Sequence, residues 1–545
     1  MKIRRCIVTP LSHKVRDKPL TLPSPLWGEG KGEEGFISRR TERLSSIALS
    51  IVLLFALSAC ARVERYPLSI LHTNDVHGHI APERVEGWRE RSGGAASLAG
   101  CVRDIRAENQ KSGIPTLLLD AGDIFLGTPE GNVSRGKAMT EVMNADGYDA
   151  MAVGNHEFDL GVDILEGLAE SARFPILGAN VISSVTGRLP PFLKPYLIKE
   201  CGPLRVGIIG VITEQTPVIV MPGRTEKIIF KDTREVVRSC VAALNEKGVN
   251  FVILLSHCGF GEDKKLASAV GGIGVIIGGH SHELVRRPVR IRSTGTLVCQ
   301  AGASGQYLGR LTVDVDPKRH RAGRCRYELI ALKEGCCTPD PTVKSIVERW
   351  RARAGEKFDE AVGKSLADFS SSDTGESSLG DLIADSMRAA TGADIAVLNS
   401  FGIRNPLLKG AITVRDIYTM MPFDNTLYTM RLSGAQIRAI LEQGLSLQLG
   451  ILQISGLRVE YDPKAPAGRR VVRIDCGDKE LGERAEYTVV TNSYLAQGGD
   501  SYTTFCQALN VCNTGITDVD ALSNYIRARS PISSERFTPS RLIPR

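Results

Sequence analysis

Seven short apolar runs punctuate the first half of the chain. They are Leu68–Leu71, Thr116–Leu119, Ala150–Val153, Pro175–Leu177, Val206–Ile212, Phe251–Leu255 and Val275–Ile277. Each is strand-length and ends in a polar loop that contains glycine, as expected for buried strands. Helix-like stretches fall between several of them, at Gly94–Glu108, Lys137–Ala145 and Thr233–Lys247. This alternation predicts an α/β domain over residues 66–335. The pattern then changes. Val343, Ile346, Val347 and Trp350 recur at helical spacing among charges, predicting an amphipathic linker helix within 338–363. A Ser/Asp/Gly loop at Ser370–Ser378 precedes a second α/β region, assigned with the linker's end to 364–530. That region is predicted to hold helices at Leu379–Thr391 and Ala435–Gln443, the latter capped by Ser433, and strands at Ile395–Leu398, Tyr428–Leu432 and Thr488–Thr491. No internal repeat is visible.

At 545 residues the chain is too long for one core, which supports two domains plus a leader. The apolar fraction of 42% and charged fraction of 24% place it among ordinary globular proteins. Of the net charge of +7, the first forty-five residues carry +5, with ten Lys/Arg against five Asp/Glu. The body is therefore nearly neutral and offers no electrostatic case for a nucleic-acid polymer as partner. Thirteen cysteines are present; setting aside Cys6 and Cys60 in the leader leaves an odd number, so one stays unpaired or pairs between chains. No CxxC pair suggests a structural zinc ribbon. Cys336 and its neighbour Cys337, and the late Cys506 and Cys512, are candidates for disulfides in an oxidising compartment.

Residues 1–45 read as a disordered leader, or as translated upstream sequence, because Thr21–Gly30 is rich in Pro and Gly and has no periodicity. Arg39, Arg40 and Arg43 then precede the apolar run Ile47–Leu57, which is too short to span a membrane comfortably and reads as a secretory signal over 46–60. It ends in Leu57-Ser58-Ala59-Cys60, which resembles the bacterial lipobox. The resemblance implies lipidation at Cys60 and a membrane attachment through that anchor. Ala61, rather than Asp, resembles the pattern of lipoproteins sorted to the outer membrane, so the expected location is the bacterial cell envelope, at the outer membrane or in the periplasm.

The candidate chemistry lies at the ends of the apolar runs. Seven of the nine histidines (His72, His77, His79, His156, His257, His280 and His282) stand at or just past such a run. Leu68–Leu71 leads to Asp75-Val76-His77, Thr116–Leu119 to Asp120-Ala121-Gly122-Asp123, Ala150–Val153 to Gly154-Asn155-His156, Phe251–Leu255 to Ser256-His257, and Val275–Ile277 to Gly278-Gly279-His280-Ser281-His282. In an α/β sheet, loops past the carboxyl ends of the strands gather functional groups. Five of them converging would assemble Asp, His and Asn side chains, donors that suit Zn, Mn, Fe or Co without choosing between them. His79, His72, Asp120 and Cys258 are expected to support or pack rather than bind.

These segments ("LHTNDVHGH", "DAGD", "GNHEFD", "SHCG" and "GGHSH") resemble, in order, those of the calcineurin-like metallophosphoesterases, most closely the secreted 5′-nucleotidase/UDP-sugar hydrolase branch. The resemblance implies an N-terminal four-layer β-sandwich with helices, a linker helix and a smaller C-terminal α/β substrate-binding domain. It implies two divalent metal ions, one held by Asp75, His77, Asp123 and His282 and the other by Asp123, Asn155, His257 and His280, with Asp123 bridging. His156, oriented by Asp159, would act as acid toward the leaving group and stabilise the transition state.

In the second domain, Asn399-Ser400-Phe401-Gly402-Ile403-Arg404, Pro422-Phe423-Asp424-Asn425 and Tyr494–Asp500 resemble the family's substrate segments. By that resemblance Asn399, Arg404, Phe423, Asn425, Tyr494 and Asp500 would bind substrate, with Phe423 and Tyr494 stacking on a nucleobase. Three departures stand out. Phe401 and Asp424 replace glycines, and Phe369 to Ser378 holds no Arg or Lys where relatives carry an arginine, so that part of the substrate clamp is either missing or supplied by Arg388 or Lys409 from another angle. The expected activity is hydrolysis of nucleoside 5′-monophosphates outside the inner membrane. The alternatives are a 2′,3′-cyclic-nucleotide phosphodiesterase, a UDP-sugar hydrolase, a thiosulfohydrolase-like enzyme, or a non-catalytic ligand-binding lipoprotein.

Overall fold

The structure is a computed structural model that describes residues 65–537 and 540–545; the leader, the signal segment and Cys60 lie outside the described residues. The first half builds two six-stranded sheets. One runs in the order Arg321–Ala331, Tyr307–Asp316, Tyr66–Thr73, Thr116–Asp120, Ala150–Ala152, Ile176–Leu177. The other runs Val289–Arg290, Leu297–Cys299, Val275–Gly278, Phe251–His257, Leu204–Ile212, Tyr196–Cys201. The central strands of both are parallel, so their carboxyl ends share one edge of the molecule.

Strand alternation explains the layering. Leu68, Ile70, Leu117 and Leu119 of the first sheet meet Val206, Ile208, Ile253, Leu255 and Ile277 of the second in a core between them. The intervening side chains face outward. Leu71, Leu118 and Met151 lie beneath the helices Gly94–Lys111, Lys137–Asp146 and Val162–Ser171, and Ile209, Val211, Leu254 and Ile276 beneath Thr233–Glu246 and Phe260–Ala269. Buried on both faces, these strands read in sequence as continuous apolar runs. The result is a helix–sheet–sheet–helix domain of four layers.

The amphipathic segment forms a helix over Pro341–Ala354, shorter than 338–363, followed by a 3₁₀ turn and the strand Ala361–Ser365. Asp340 caps it by accepting from Thr342 and Val343 N–H at 2.9 and 3.2 Å, and Pro341 fits the first turn, where no N–H is needed. Its Val343, Ile346 and Val347 pack into the outer core of the first domain, and Trp350 Nε1 donates to Glu141 at 2.8 Å. Cys101 on the first helix is disulfide-bonded to Cys337, while Cys336, Cys506 and Cys512 are free thiols. Of the four candidates, Cys337 therefore forms a disulfide, with a partner far away in sequence, and the other three do not.

The smaller domain has a five-stranded sheet in the order Leu452–Ser455, Ile395–Asn399, Glu486–Asn492, Thr426–Ser433, Leu509–Thr517. The helices Ser378–Thr391, Val414–Met420 and Asp518–Arg529 cover one face, and Gly434–Gly444 covers the other. Ser433 caps the last of these through a reciprocal bond with Gln436. Polar ties seat this domain on the first, among them these. Glu130 pairs with Arg415, Asn132 Nδ2 donates to Pro422 O at 2.6 Å, and Arg84 Nη1 donates to Lys409 O at 3.0 Å.

Candidate active site

The loops past the carboxyl ends of both sheets converge. Backbone bonds lock two of them together: Asp75 N–H to Gly122 O at 2.9 Å, and His77 N–H to Asp123 O at 3.0 Å. Close packing at the centre requires glycine. A Cβ at Gly122 would lie 2.8 Å from Gly154 N, and one at Gly154 would lie 2.2 Å from Asp123 Oδ1. Asp75, His77, Asp123, His280 and His282 all have left-handed backbones, with φ between +50° and +74°. Such a conformation is costly for non-glycine residues and persists where the surroundings impose it, which marks the cluster as built for function.

Three overlapping donor groups result. Asp75, His77 and His282 have ligand atoms within 4.8 Å of one another, as do Asp123, His257 and His280, and as do His77, Asp123 and His156. The Nε2 atoms of His77 and His282 lie 3.1 Å apart, and His257 Nε2 lies 3.0 Å from Asp123 Oδ2 and 3.2 Å from Asn155 Oδ1. The hydrogen bonds assign the ring tautomers. His257 Nδ1 faces the Ala121 carbonyl at 2.7 Å and His77 Nδ1 faces the Leu126 carbonyl at 3.2 Å. A carbonyl only accepts, so both Nδ1 atoms donate and both Nε2 lone pairs face inward. At His257 that lone pair meets a carboxylate and an amide oxygen, an arrangement that requires a cation or a proton between them. Burial works to lower the His257 pKa, but Asp123 and Asp75 raise it to about 10. Burial and Arg404 hold His77 well below its ordinary range, so its Nε2 stays unprotonated, the state that ligates a metal. The residues present thus fit two divalent metal ions.

His156 stands beside this cluster. Its backbone N–H donates to Asp123 Oδ1 at 2.9 Å, its ring Nε2 is 3.9 Å from Asp123 Oδ2, and its Nδ1 bonds Asp159. Burial opposes the charged ring, but the carboxylates of Asp123 and Asp159 outweigh it and raise the pKa.

The comparisons with known proteins agree with this geometry. Residues 68–284 match the family model for calcineurin-like phosphoesterases, and 358–507 match that for the 5′-nucleotidase C-terminal domain. A 5′-nucleotidase from Diplobatis ommata is 31% identical over 89% of this chain and 90% of its own length. The chain belongs to the 5′-nucleotidase family of calcineurin-like metallophosphoesterases. It is a metal-dependent hydrolase. The trifunctional nucleotide phosphoesterase YfkN of Bacillus subtilis is 32% identical over 85% of this chain, which spans only 34% of that longer protein. The structure of a 5′-nucleotidase precursor from Thermus thermophilus superposes with a TM-score of 0.80 at 33% identity, covering 88% of this chain and 99% of that one.

In this metallophosphoesterase a cleft of about 820 Å³ opens between the domains, lined by His156 and Asp159 from one side and Asn399, Arg404, Phe423, Asn425, Tyr494 and Asp500 from the other. Arg404 Nη2 reaches to 3.2 Å from His77 Nε2, at the metal cluster. The Phe423 ring lies 5.9 Å from that of His156, with the Arg404 guanidinium 5.9 Å from its centroid, and packs against the first domain's core. Tyr494 Oη is 2.7 Å from Asp500 Oδ1 and 3.2 Å from Val218 O. Asn425 Oδ1 accepts from Ser493 Oγ and Tyr494 N–H at 2.7 and 3.3 Å, so it fixes the turn that presents Tyr494. Asn399 is similarly engaged by Asn492 and Asp500.

The departures from the family pattern have physical consequences. Asp424 adopts φ +51°, the conformation that favours glycine, and its carboxylate accepts from Tyr418 Oη at 2.8 Å. Phe401 is 40% exposed and lines the cleft. Neither proposed substitute for the missing arginine reaches it. Arg388 lines a separate surface cavity with Asp385, Arg458 and Arg541, and Lys409 is exposed outside the cleft. The helix and loop geometry of the second domain directs both away.

Sequence reasoning missed Glu157. Fully buried, it accepts from Asp123 and Gly154 N–H on Oε2 at 2.9 and 2.6 Å, and from Ile124 N–H on Oε1 at 2.9 Å. Burial and Asp123 push its pKa up to about 7, against the pull of those donors. Asn74 was also missed; its Nδ2 donates to Asp75 Oδ2 at 2.6 Å and its Oδ1 accepts from Ala301 N–H at 2.9 Å. Both stand inside the recognised segments, but their work depends on loops distant in sequence. Of the four residues expected to support or pack, Asp120 accepts from Thr73 Oγ1 at 2.6 Å, His79 bonds Glu83, and His72 stacks on Tyr327. Cys258 packs against the outer core of the second sheet.

Proposed function

We propose that the enzyme hydrolyses nucleoside 5′-monophosphates to nucleoside and phosphate. The observation that carries this reading is that Arg404, Phe423, Tyr494 and Asp500 share one cleft with the metal cluster and His156. In this reading Asp75, His77, Asp123 and His282 hold one ion and Asp123, Asn155, His257 and His280 the other. When bound, the ions supply nucleophile activation and neutralise phosphoryl charge. Arg404 receives the phosphoryl oxygens beside that centre. His156, held by Asp159, gives its proton to the departing 5′-oxygen. Phe423 and Tyr494 take the base between their faces, and Asp500 accepts from the ribose hydroxyls.

A phosphate-release screen over nucleoside monophosphates, cyclic nucleotides, UDP-sugars and p-nitrophenyl phosphate tests the reading. Preference for monophosphates supports it; hydrolysis of p-nitrophenyl phosphate without any nucleotide overturns it.

We further infer an extracytoplasmic location with a lipid anchor at Cys60. The Cys101–Cys337 disulfide supports an oxidising compartment. No helix among the described residues is long and apolar enough to cross a membrane. Cys60→Ser should therefore move the protein from the membrane fraction to the soluble one; unchanged fractionation refutes the anchor.

A further inference from the structure

We propose that Arg224 reads a second phosphate on the leaving-group side of the scissile one, an inference that rests on the nucleotide reading above. The loop of the second domain that lacks a cation gives the cleft Ser371 and Asp373 instead. The cation comes from the first domain. Gln215, Ile219, Met221 and Arg224 line the cleft from one segment, whose turns are closed by Arg224 N–H to Met221 O at 3.2 Å and Ile228 N–H to Thr225 O at 2.9 Å.

The Arg224 side chain is exposed and has no hydrogen-bond or ion-pair partner among the described residues. Its position differs from that of Arg404. Arg404 stands at the metal cluster, 3.2 Å from His77 Nε2. Arg224 Nη1 lies 4.0 Å from where a Cβ on Gly161 would sit, over the loop that directly follows Asp159. Val218, on the same segment, offers its carbonyl to Tyr494 Oη at 3.2 Å. With His156 protonating the leaving oxygen, what lies beyond Asp159 and next to Tyr494 is the leaving group.

The nucleoside released from a monophosphate is neutral there and offers a guanidinium only uncharged acceptors on its base and ribose. A phosphate on the ribose, or one in a diphosphate linkage, offers the oxygen pair that a guanidinium binds in two-point fashion. Arg224 belongs to the domain that carries the metal ligands, so it holds this phosphate in fixed relation to the reacting centre.

The test compares kcat/KM for AMP, adenosine 3′,5′-bisphosphate and ADP-ribose in the wild type, Arg224→Ala, Arg224→Lys and Arg224→Glu. The preference for a doubly phosphorylated substrate over AMP should fall about five- to tenfold in the alanine variant, chiefly through KM. It should fall further in the glutamate variant and recover in part with lysine. A loss confined to the bisphosphate places the second phosphate on the ribose; one confined to ADP-ribose places it in the linkage. An unchanged preference in both Arg224→Ala and Arg224→Glu overturns the inference while leaving AMP hydrolysis intact. A wild type that cleaves only p-nitrophenyl phosphate overturns the nucleotide reading and this inference together.

Discussion

Glu157→Gln isolates how much of the metal site is built by groups that never touch the metal. The carboxylate joins the loop bearing Asp123 to the loop bearing Asn155 through three backbone N–H groups at 2.6–2.9 Å. Glutamine preserves the shape but has one acceptor oxygen. If that oxygen keeps the Asp123 and Gly154 donors, the amide NH₂ faces the Ile124 N–H. One charge-assisted bond is lost, worth about 1.5–3 kcal/mol, and a buried donor is left unpaired at about 1–3 kcal/mol. Part of that cost appears as lost stability and part as slack in the loop holding Asp123. Removing a supporting partner of a metal ligand typically costs roughly 10–100-fold in metal affinity or activity. That is about 1.4–2.8 kcal/mol, at or below the lower end of the ~2.5–6 kcal/mol from bond counting, and the remainder should appear as lost stability. The assay is metal retained by purified protein against a graded chelator, with kcat on p-nitrophenyl phosphate at saturating metal and a thermal unfolding curve. A folded variant with wild-type metal retention and wild-type kcat would falsify the argument that Glu157 sets the Asp123 position.

Three further outcomes follow from the geometry. His156→Ala should lower kcat by ~10²–10⁴-fold while metal content holds; parallel loss of metal would make His156 a ligand instead. Phe423→Ala should raise the nucleotide KM roughly five- to 150-fold relative to that of p-nitrophenyl phosphate, from ~1–3 kcal/mol of stacking. Equal damage to both substrates would show that packing on His156 and the first domain's core is its whole role. Burial raises the Asp500 pKa to about 6, against donation from Tyr494 and Asn399. The carboxyl is thus neutral below that pH and becomes the stronger, charge-assisted acceptor of ribose hydroxyls above it, so nucleotide KM should fall as pH rises through about 6. Persistence of that step in Asp500→Asn would assign it to another group.

The α/β class was legible in the sequence because strands buried on both faces are continuously apolar, and short runs such as Phe251–Leu255 alternate with longer helical patterns. The metal donors were legible because catalytic loops start where such strands stop, so Asp75, Asp123, His257 and His280 each followed a run at short distance. Pairings across sequence were not. Cys101 finds Cys337 across 236 residues, which no local pattern specifies. Glu157 looked like one more polar residue of a loop, and only the packing of Gly122 against Gly154 brings three N–H groups to its carboxylate. Arg388 and Lys409 had the right charge and the wrong direction, while Arg224 entered the cleft from the other domain. The sequence by itself determined which side chains can do the chemistry, because strand burial and loop position are local properties of the chain. The tertiary structure alone decided which of them meet, because a cleft between two domains is made of residues hundreds of positions apart whose directions are set by sheet twist and loop closure.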